Sequence, residues 1–217
     1  MKKYLGLSFI CTLVLFVSCD VNTPEGSEQD YKKSGKHRGH EYVDLGLSVR
    51  WATCNIGANS LEEYGDYFAW GEVETKETYD SCTYKHVLER YGDISGNNKI
   101  YMLRKFDAAA QNWGGNWRMP THEEFMELCN WCQWKKISVN GVNGYKVTGP
   151  SGKSIFLPSA GYMRGNEHIG ASLNGNYWSN TSYAHTDVAI YCYFDSSLKF
   201  YWKNYVYEGC SVRPVCP

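Results

Sequence analysis

The chain has 217 residues and a formal net charge of -1, with acidic and basic residues interspersed along it. A length of this order holds one core of ordinary domain size. So balanced a charge provides no field of one sign to hold a polyanion, which excludes nucleic acid as an expected partner.

Aromatic residues are the compositional excess, with eight Trp and eighteen Tyr. Such side chains serve a β-rich core or a recognition surface equally well.

In chain order, Lys2 and Lys3 precede an apolar run over 5–17, and Ser18-Cys19 follows at once. This is the charged, apolar and small-residue succession of a secretory signal, and the run is too short to cross a bilayer comfortably. Phe16-Val17-Ser18-Cys19 resembles a lipobox, with Phe16 where Leu is usual. It marks Cys19 as the expected lipidation site and the new N-terminus of an exported, lipid-anchored envelope protein, expected at the outer membrane. Residues 20–39, first acidic and then basic, show no apolar periodicity and read as a flexible tether. The domain is expected over 40–217.

Nine cysteines are present. Apart from Cys11 in the leader and Cys19, they are Cys54, Cys82, Cys129, Cys132, Cys192, Cys210 and Cys216. Their odd number leaves one thiol over, and spacing assigns no pairs; export permits disulfides without proving any.

Within the domain, loose apolar alternation over 42–51 and a turn-bounded 64–72 read as strands, and 75–99 reads as an irregular surface excursion. Leu103, Phe106, Ala110 and Trp113 share one face at helical spacing, so a first helix is expected over 102–113, stopped by Gly114-Gly115. Thr121 and Glu124 form a capping box for a second helix that ends near Trp134, with Phe125, Leu128, Cys129 and Cys132 as its buried stripe and His122 in an exposed first turn. Beyond it, Asn140-Gly141 and Asn143-Gly144 read as turns and 145–147 with 155–157 as a hairpin. A tyrosine-rich hairpin is expected from 188–194 and 198–207, with a closing strand over 210–215. The Gly- and Asn-rich stretch 158–176 reads as a long loop, and long loops in compact domains are often functional.

Blocks over 40–53, 64–72, 112–121, 155–162, 176–182 and 211–214 together resemble, in the expected order, the Fibrobacter succinogenes major paralogous domain family. That resemblance implies an α+β, C-type-lectin-like domain similar also to formylglycine-generating enzymes. Its layout is two helices packed on small antiparallel sheets, with a long loop before the strand at Tyr177-Trp178-Ser179-Asn180. The lectin likeness raises calcium as a cofactor, with Glu167, Asn166, Asn174 and Asn180 as oxygen ligands and Glu167 and Asn180 foremost. The loop lacks the lectins' Glu-Pro-Asn or Gln-Pro-Asp triplet, so the expectation is no cofactor.

Other motifs reduce to structure. Cys129-x-x-Cys132 lies two turns inside a helix, where no helix N-terminus stabilises a thiolate, and it has no second half for a zinc site. The sequence therefore points to a non-enzymatic surface module with no catalytic residue, binding a glycan or an envelope protein through the 158–180 region and nearby aromatics. The expected contact residues are Arg164, Asn166, Glu167, Asn174, Trp178, Asn180, Tyr191 and Trp202. Two alternatives are a structural component of an envelope complex with no small ligand, and a formylglycine-generating-like oxidase, for which Cys192 and Cys210 are too isolated in sequence.

Overall fold

The computed structural model describes residues 31–85, 91–94, 99–183, 186–197 and 199–217, with backbone alone at 91–94 and 199–202. Cys19 and residues 20–30 lie outside the described residues.

The two ends of the described chain meet in one sheet. Strands β1 (Gly35–His37), β2 (His40–Val43), β3 (Arg50–Ala52) and β16 (Val215–Cys216) form an antiparallel sheet in the order β1-β2-β3-β16. Residues 31–39, read from sequence as tether, pack on the domain. Gly35 pairs with Tyr42, Tyr31 is buried with Leu61, Val139 and Phe156, and Lys33 and Lys36 both reach Glu41, at 2.6 and 3.3 Å. The charges that suggested a solvated tether are the polar edge of a hairpin.

The largest sheet has seven strands. Its path is β14 (Lys199–Tyr205), β13 (Val188–Phe194), β12 (Gly175–Tyr183), β15 (Cys210–Ser211) and β4 (Tyr67–Phe68); β6 (Lys99–Met102) also pairs with β12 and carries β5 (Tyr91–Ile94) outside it. The β12–β15 pair is parallel and the other pairs are antiparallel. Side chains alternate across a strand, so Tyr177 enters one apolar cluster, with Trp51, Phe125, Leu128, Cys192 and Phe194. Its neighbour Trp178 enters another, with Phe68, Trp70, Tyr79, Tyr84 and Val212. Strand β12 is buried along almost its whole length because both faces of the sheet are covered. Each fully buried large apolar side chain here contributes roughly 1.5–3 kcal/mol from burial.

One cover consists of helix α2 (His122–Trp131) and a three-stranded antiparallel sheet of β7 (Gln133–Val139), β8 (Val142–Thr148) and β9 (Ser154–Pro158). Asn140 and Gly141, both at positive φ (49° and 83°), turn β7 into β8, as a tight two-residue hairpin turn requires. Asn143-Gly144, also expected as a turn, lies within β8.

The α+β, C-type-lectin-like expectation is overturned. The described residues are mostly β, 41% strand and 11% helix, with several curled sheets, and the two α-helices among them are short. Helix α1 spans only Ala108–Trp113. Asp107 caps it by accepting the Ala110 N–H, and a 3-10 turn at Arg104–Phe106 precedes it. An Asp that bonds the backbone of the next turn favours starting a helix over lying inside one. Leu103 and Phe106 therefore fall in the link between β6 and α1, Leu103 exposed and Phe106 half-buried, and not on the face of a helix. Helix α2 does start at Thr121 with a complete capping box, yet ends at Trp131 because β7 begins two residues later. His122 is buried, not exposed, and its backbone N–H donates to Thr181 Oγ1. The excursion over 75–99 also contributes to the interior, through Tyr79 and Tyr84.

Candidate functional site

The stretch 158–176, expected as a long loop, contains the hairpin of β10 (Tyr162–Arg164) and β11 (Glu167–Ile169). Gly161 sits at φ 61°, and a Cβ there would lie 2.3 Å from the Ile169 carbonyl. Only glycine starts the hairpin without strain. Backbone pairs then tie it on both sides: Met163 exchanges bonds of 2.7 and 2.9 Å with Gly209, and Gly165 exchanges bonds of 2.8 and 2.7 Å with Tyr79.

The Met163–Gly209 pair sets Arg164 against Glu208. Arg164 Nε donates to Glu208 Oε1 at 2.6 Å, with the arginine side chain 56% exposed and the glutamate 1%. Glu208 Oε2 is buried with no hydrogen-bond partner among the described residues. That is an expensive arrangement for a carboxylate, and the single bond to Arg164 is its main compensation. The same bond holds the Arg164 guanidinium above its ordinary range.

Tyrosines surround this pair. The guanidinium carbon lies 5.3 Å from the Tyr162 ring centre. Tyr205, 45% exposed, stacks on Tyr207 at 5.1 Å and 10°. Tyr193 is half-buried, donates its hydroxyl to Asp195 Oδ2 at 3.0 Å, and packs edge-on against Tyr191. Burial raises the phenols of Tyr162, Tyr193 and Tyr207, with nearby Glu208 adding to the effect at Tyr162 and Tyr207 and a hydrogen bond to Asp195 adding to it at Tyr193. At neutral pH they are uncharged, and Tyr193 spends its donor on Asp195. The surface thus combines flat rings, phenolic donors and a guanidinium held in place by a buried carboxylate. Such a set can stack on a ring and hydrogen-bond hydroxyl or carboxylate groups.

Of the residues singled out from sequence, Arg164 is in this surface and Tyr191 directly beneath it. Tyr191 is buried, its ring edge-on to Trp178 at 5.9 Å. Asn166 and Glu167 are exposed on the hairpin. Asn174 is a turn residue, its carbonyl accepting the Gly161 N–H and its side chain accepting from Asn176. Trp178 is fully buried, with Nε1 donating to the Phe68 carbonyl at 2.8 Å. Its role is in the core, because β12 is covered on both faces. Asn180 is buried too; its N–H donates to the Pro120 carbonyl and its side-chain oxygen accepts from Thr181. Trp202 pairs its backbone with Tyr191, and its side chain lies outside the described residues. As for calcium, Glu167 is exposed and Asn180 buried in these contacts. Among the described residues no cluster of three or more His, Cys, Asp and Glu forms that could hold a metal ion.

Tyr162 and Glu208 escaped the sequence reading. They are 46 positions apart, and only the tertiary pairing of β10 with residue 209 joins them. Comparison with family models, with curated proteins and with solved structures finds no match to this chain.

Proposed function

We propose that the protein is an envelope lipoprotein, anchored at Cys19, whose domain binds a glycan through the tyrosine surface around Arg164. The family resemblance of its six sequence blocks accompanies this reading, and the observation that carries it is the Arg164–Glu208 pair flanked by Tyr162, Tyr193, Tyr205 and Tyr207. Sugar rings present one apolar face to stack on and a rim of hydroxyls, which is the complement of half-exposed tyrosines beside an arginine. The Glu208 carboxylate holds the guanidinium where a ligand meets it and so reduces the ordering cost of binding. No catalytic step enters the reading.

The test is a glycan-array screen of residues 19–217 with Cys19→Ser, run with calcium and again with a chelator. Binding is expected to survive the chelator and to weaken at least about tenfold in Tyr205→Ala, the loss expected from an aromatic contact of roughly 1.5 kcal/mol. Absence of binding to any glycan overturns the reading.

One observation favours a second reading, a protein partner in the envelope. Trp131, at the C-terminal end of α2, is 71% exposed and borders a groove lined by Gly46, Leu47, Ser48, Glu127 and Pro150. A large exposed aromatic beside a groove is the kind of anchor protein interfaces use. Co-purification of a stoichiometric envelope protein, lost in Trp131→Ala, would select this reading.

A further inference from the structure

The arginine of the tyrosine surface is bordered by acids. Arg164 Nε donates to Glu208 Oε1 at 2.6 Å. The β10–β11 register also sets Arg164 opposite Glu167, and residues directly opposite one another on an antiparallel pair share a face. Both are exposed. Acids continue around the rings. The Tyr193 hydroxyl donates to Asp195 Oδ2 at 3.0 Å, and exposed Asp187 stands beside the Tyr205–Tyr207 stack, its carbonyl accepting the Val206 N–H at 2.9 Å. Lys203, two residues before Tyr205 on β14, has its ammonium over the Tyr183 ring, 4.4 Å from the ring centre. Among the described residues here, Glu167, Asp187, Asp195 and Glu208 therefore outnumber Arg164 and Lys203.

We propose that the glycan bound by this surface is uncharged, and that the bordering acids reject sugars carrying carboxylate or sulfate groups. This selectivity rests on the glycan reading of the same surface and fixes the class of glycan within it. Arg164 is 56% exposed, which leaves guanidinium donors in water for a ligand; what it does not leave is positive charge without a counter-charge. A sugar hydroxyl can accept from a guanidinium and donate to a carboxylate, so groups of both signs around the rings suit a neutral sugar. A ligand carboxylate would also accept from Arg164, but it would bring a third negative group to one guanidinium, beside Glu208 and Glu167. Like charges so placed lower affinity. Glu208 has no route to relieve the crowding by turning into water, because its side chain is 1% exposed and held by the arginine.

The experiment uses residues 19–217 with Cys19→Ser and isothermal titration calorimetry. Each neutral oligosaccharide bound on the array is compared with the same oligosaccharide oxidised to a carboxylate at C6, and with the methyl ester of that carboxylate. The ester restores neutrality without restoring the C6 hydroxyl, so it separates charge from a lost hydrogen bond. The neutral form is expected to bind at least about tenfold more tightly than the carboxylate, the ester to recover most of that difference, and the gap to narrow as sodium chloride is raised. In Glu167→Gln, a change at an exposed position, and in Glu208→Gln, the ratio of neutral to acidic affinity is expected to fall severalfold.

Equal or tighter binding of the carboxylate form, array hits confined to acidic glycans, an ester as weak as the free acid, or a ratio unchanged in both variants overturns the proposal while leaving glycan binding itself in place. An array with no glycan bound removes the glycan reading and the selectivity with it. The wild-type comparison of ester and free acid decides the matter even if Glu208→Gln fails to fold.

Discussion

Two arginines in this molecule perform opposite tasks. Arg213 is completely buried and has no carboxylate partner among the described residues. Its Nε donates to Asn55 Oδ1 at 2.8 Å, its Nη1 to the carbonyls of Ala52 and Thr53 at 3.1 and 2.8 Å, and its Nη2 to that of Phe156 at 3.0 Å. Burial lowers its pKa, but a guanidinium starts so high that it keeps its proton. Arg164 is half-exposed and engages a buried carboxylate that has one oxygen still unpartnered. A buried polar group with four converging acceptors joins three stretches of chain into one structure. The exposed guanidinium of Arg164 keeps donors in water that a ligand can use.

The comparison breaks most readily at Arg213. Arg213→Met would orphan Asn55 Oδ1 and three carbonyls in the interior, each at about 1–3 kcal/mol. Urea unfolding should show a loss of about 4 kcal/mol or more, and a loss below about 1 kcal/mol would show that those contacts are incidental.

Arg164→Ala should cost less stability, about 1–2 kcal/mol, because Glu208 loses its partner while the arginine itself was largely in water. Adding Glu208→Gln should restore part of that loss by removing the buried charge, yet leave glycan binding abolished. Recovery of binding in the double variant would remove Arg164 from the site.

Thr121→Ala tests a wholly local feature, the α2 capping box, and is expected to cost about 1 kcal/mol in the same assay. His122, next to it, sharpens the comparison through pH. Burial, reinforced by the positive charge of Lys99, lowers its pKa from the ordinary 6.5. The folded state therefore prefers neutral His122; its full stability is present above pH 6.5 and is lost as pH falls below that value through the folded pKa. His122→Gln should flatten this part of the stability–pH curve, and an unchanged slope would assign it to other groups. The smallest effect is expected at Trp131, where Ala should change stability by less than about 0.5 kcal/mol while removing any partner docked on that ring.

Legibility followed the range of the interaction. Thr121 and Glu124 satisfy each other's backbone within one turn, so the start of α2 could be read directly. Asn140-Gly141 likewise carries its own turn geometry. Leu103 and Phe106 misled because helical spacing alone does not place residues on a buried stripe: Leu103 is exposed and Phe106 half-buried, in the link between β6 and α1. Trp178 misled in another way. A Trp near a functional-looking stretch reads as a ligand platform until a second layer of chain is seen to cover it. Arg164 was legible as a polar residue in a Gly-rich stretch, and Glu208 was not, because nothing local marks an acid whose role depends on a backbone pair between residues 163 and 209.

The sequence by itself determined the features whose energy is local: the cap of α2, the tight turn after β7 and the tyrosine hairpin of β13 and β14. Only the tertiary structure decided which faces of those elements are covered, that the 158–176 stretch holds a hairpin, and that Arg164 meets Glu208. Alternation and spacing state that a side chain needs burial, whereas the partner that buries it is chosen by contacts between segments far apart in sequence.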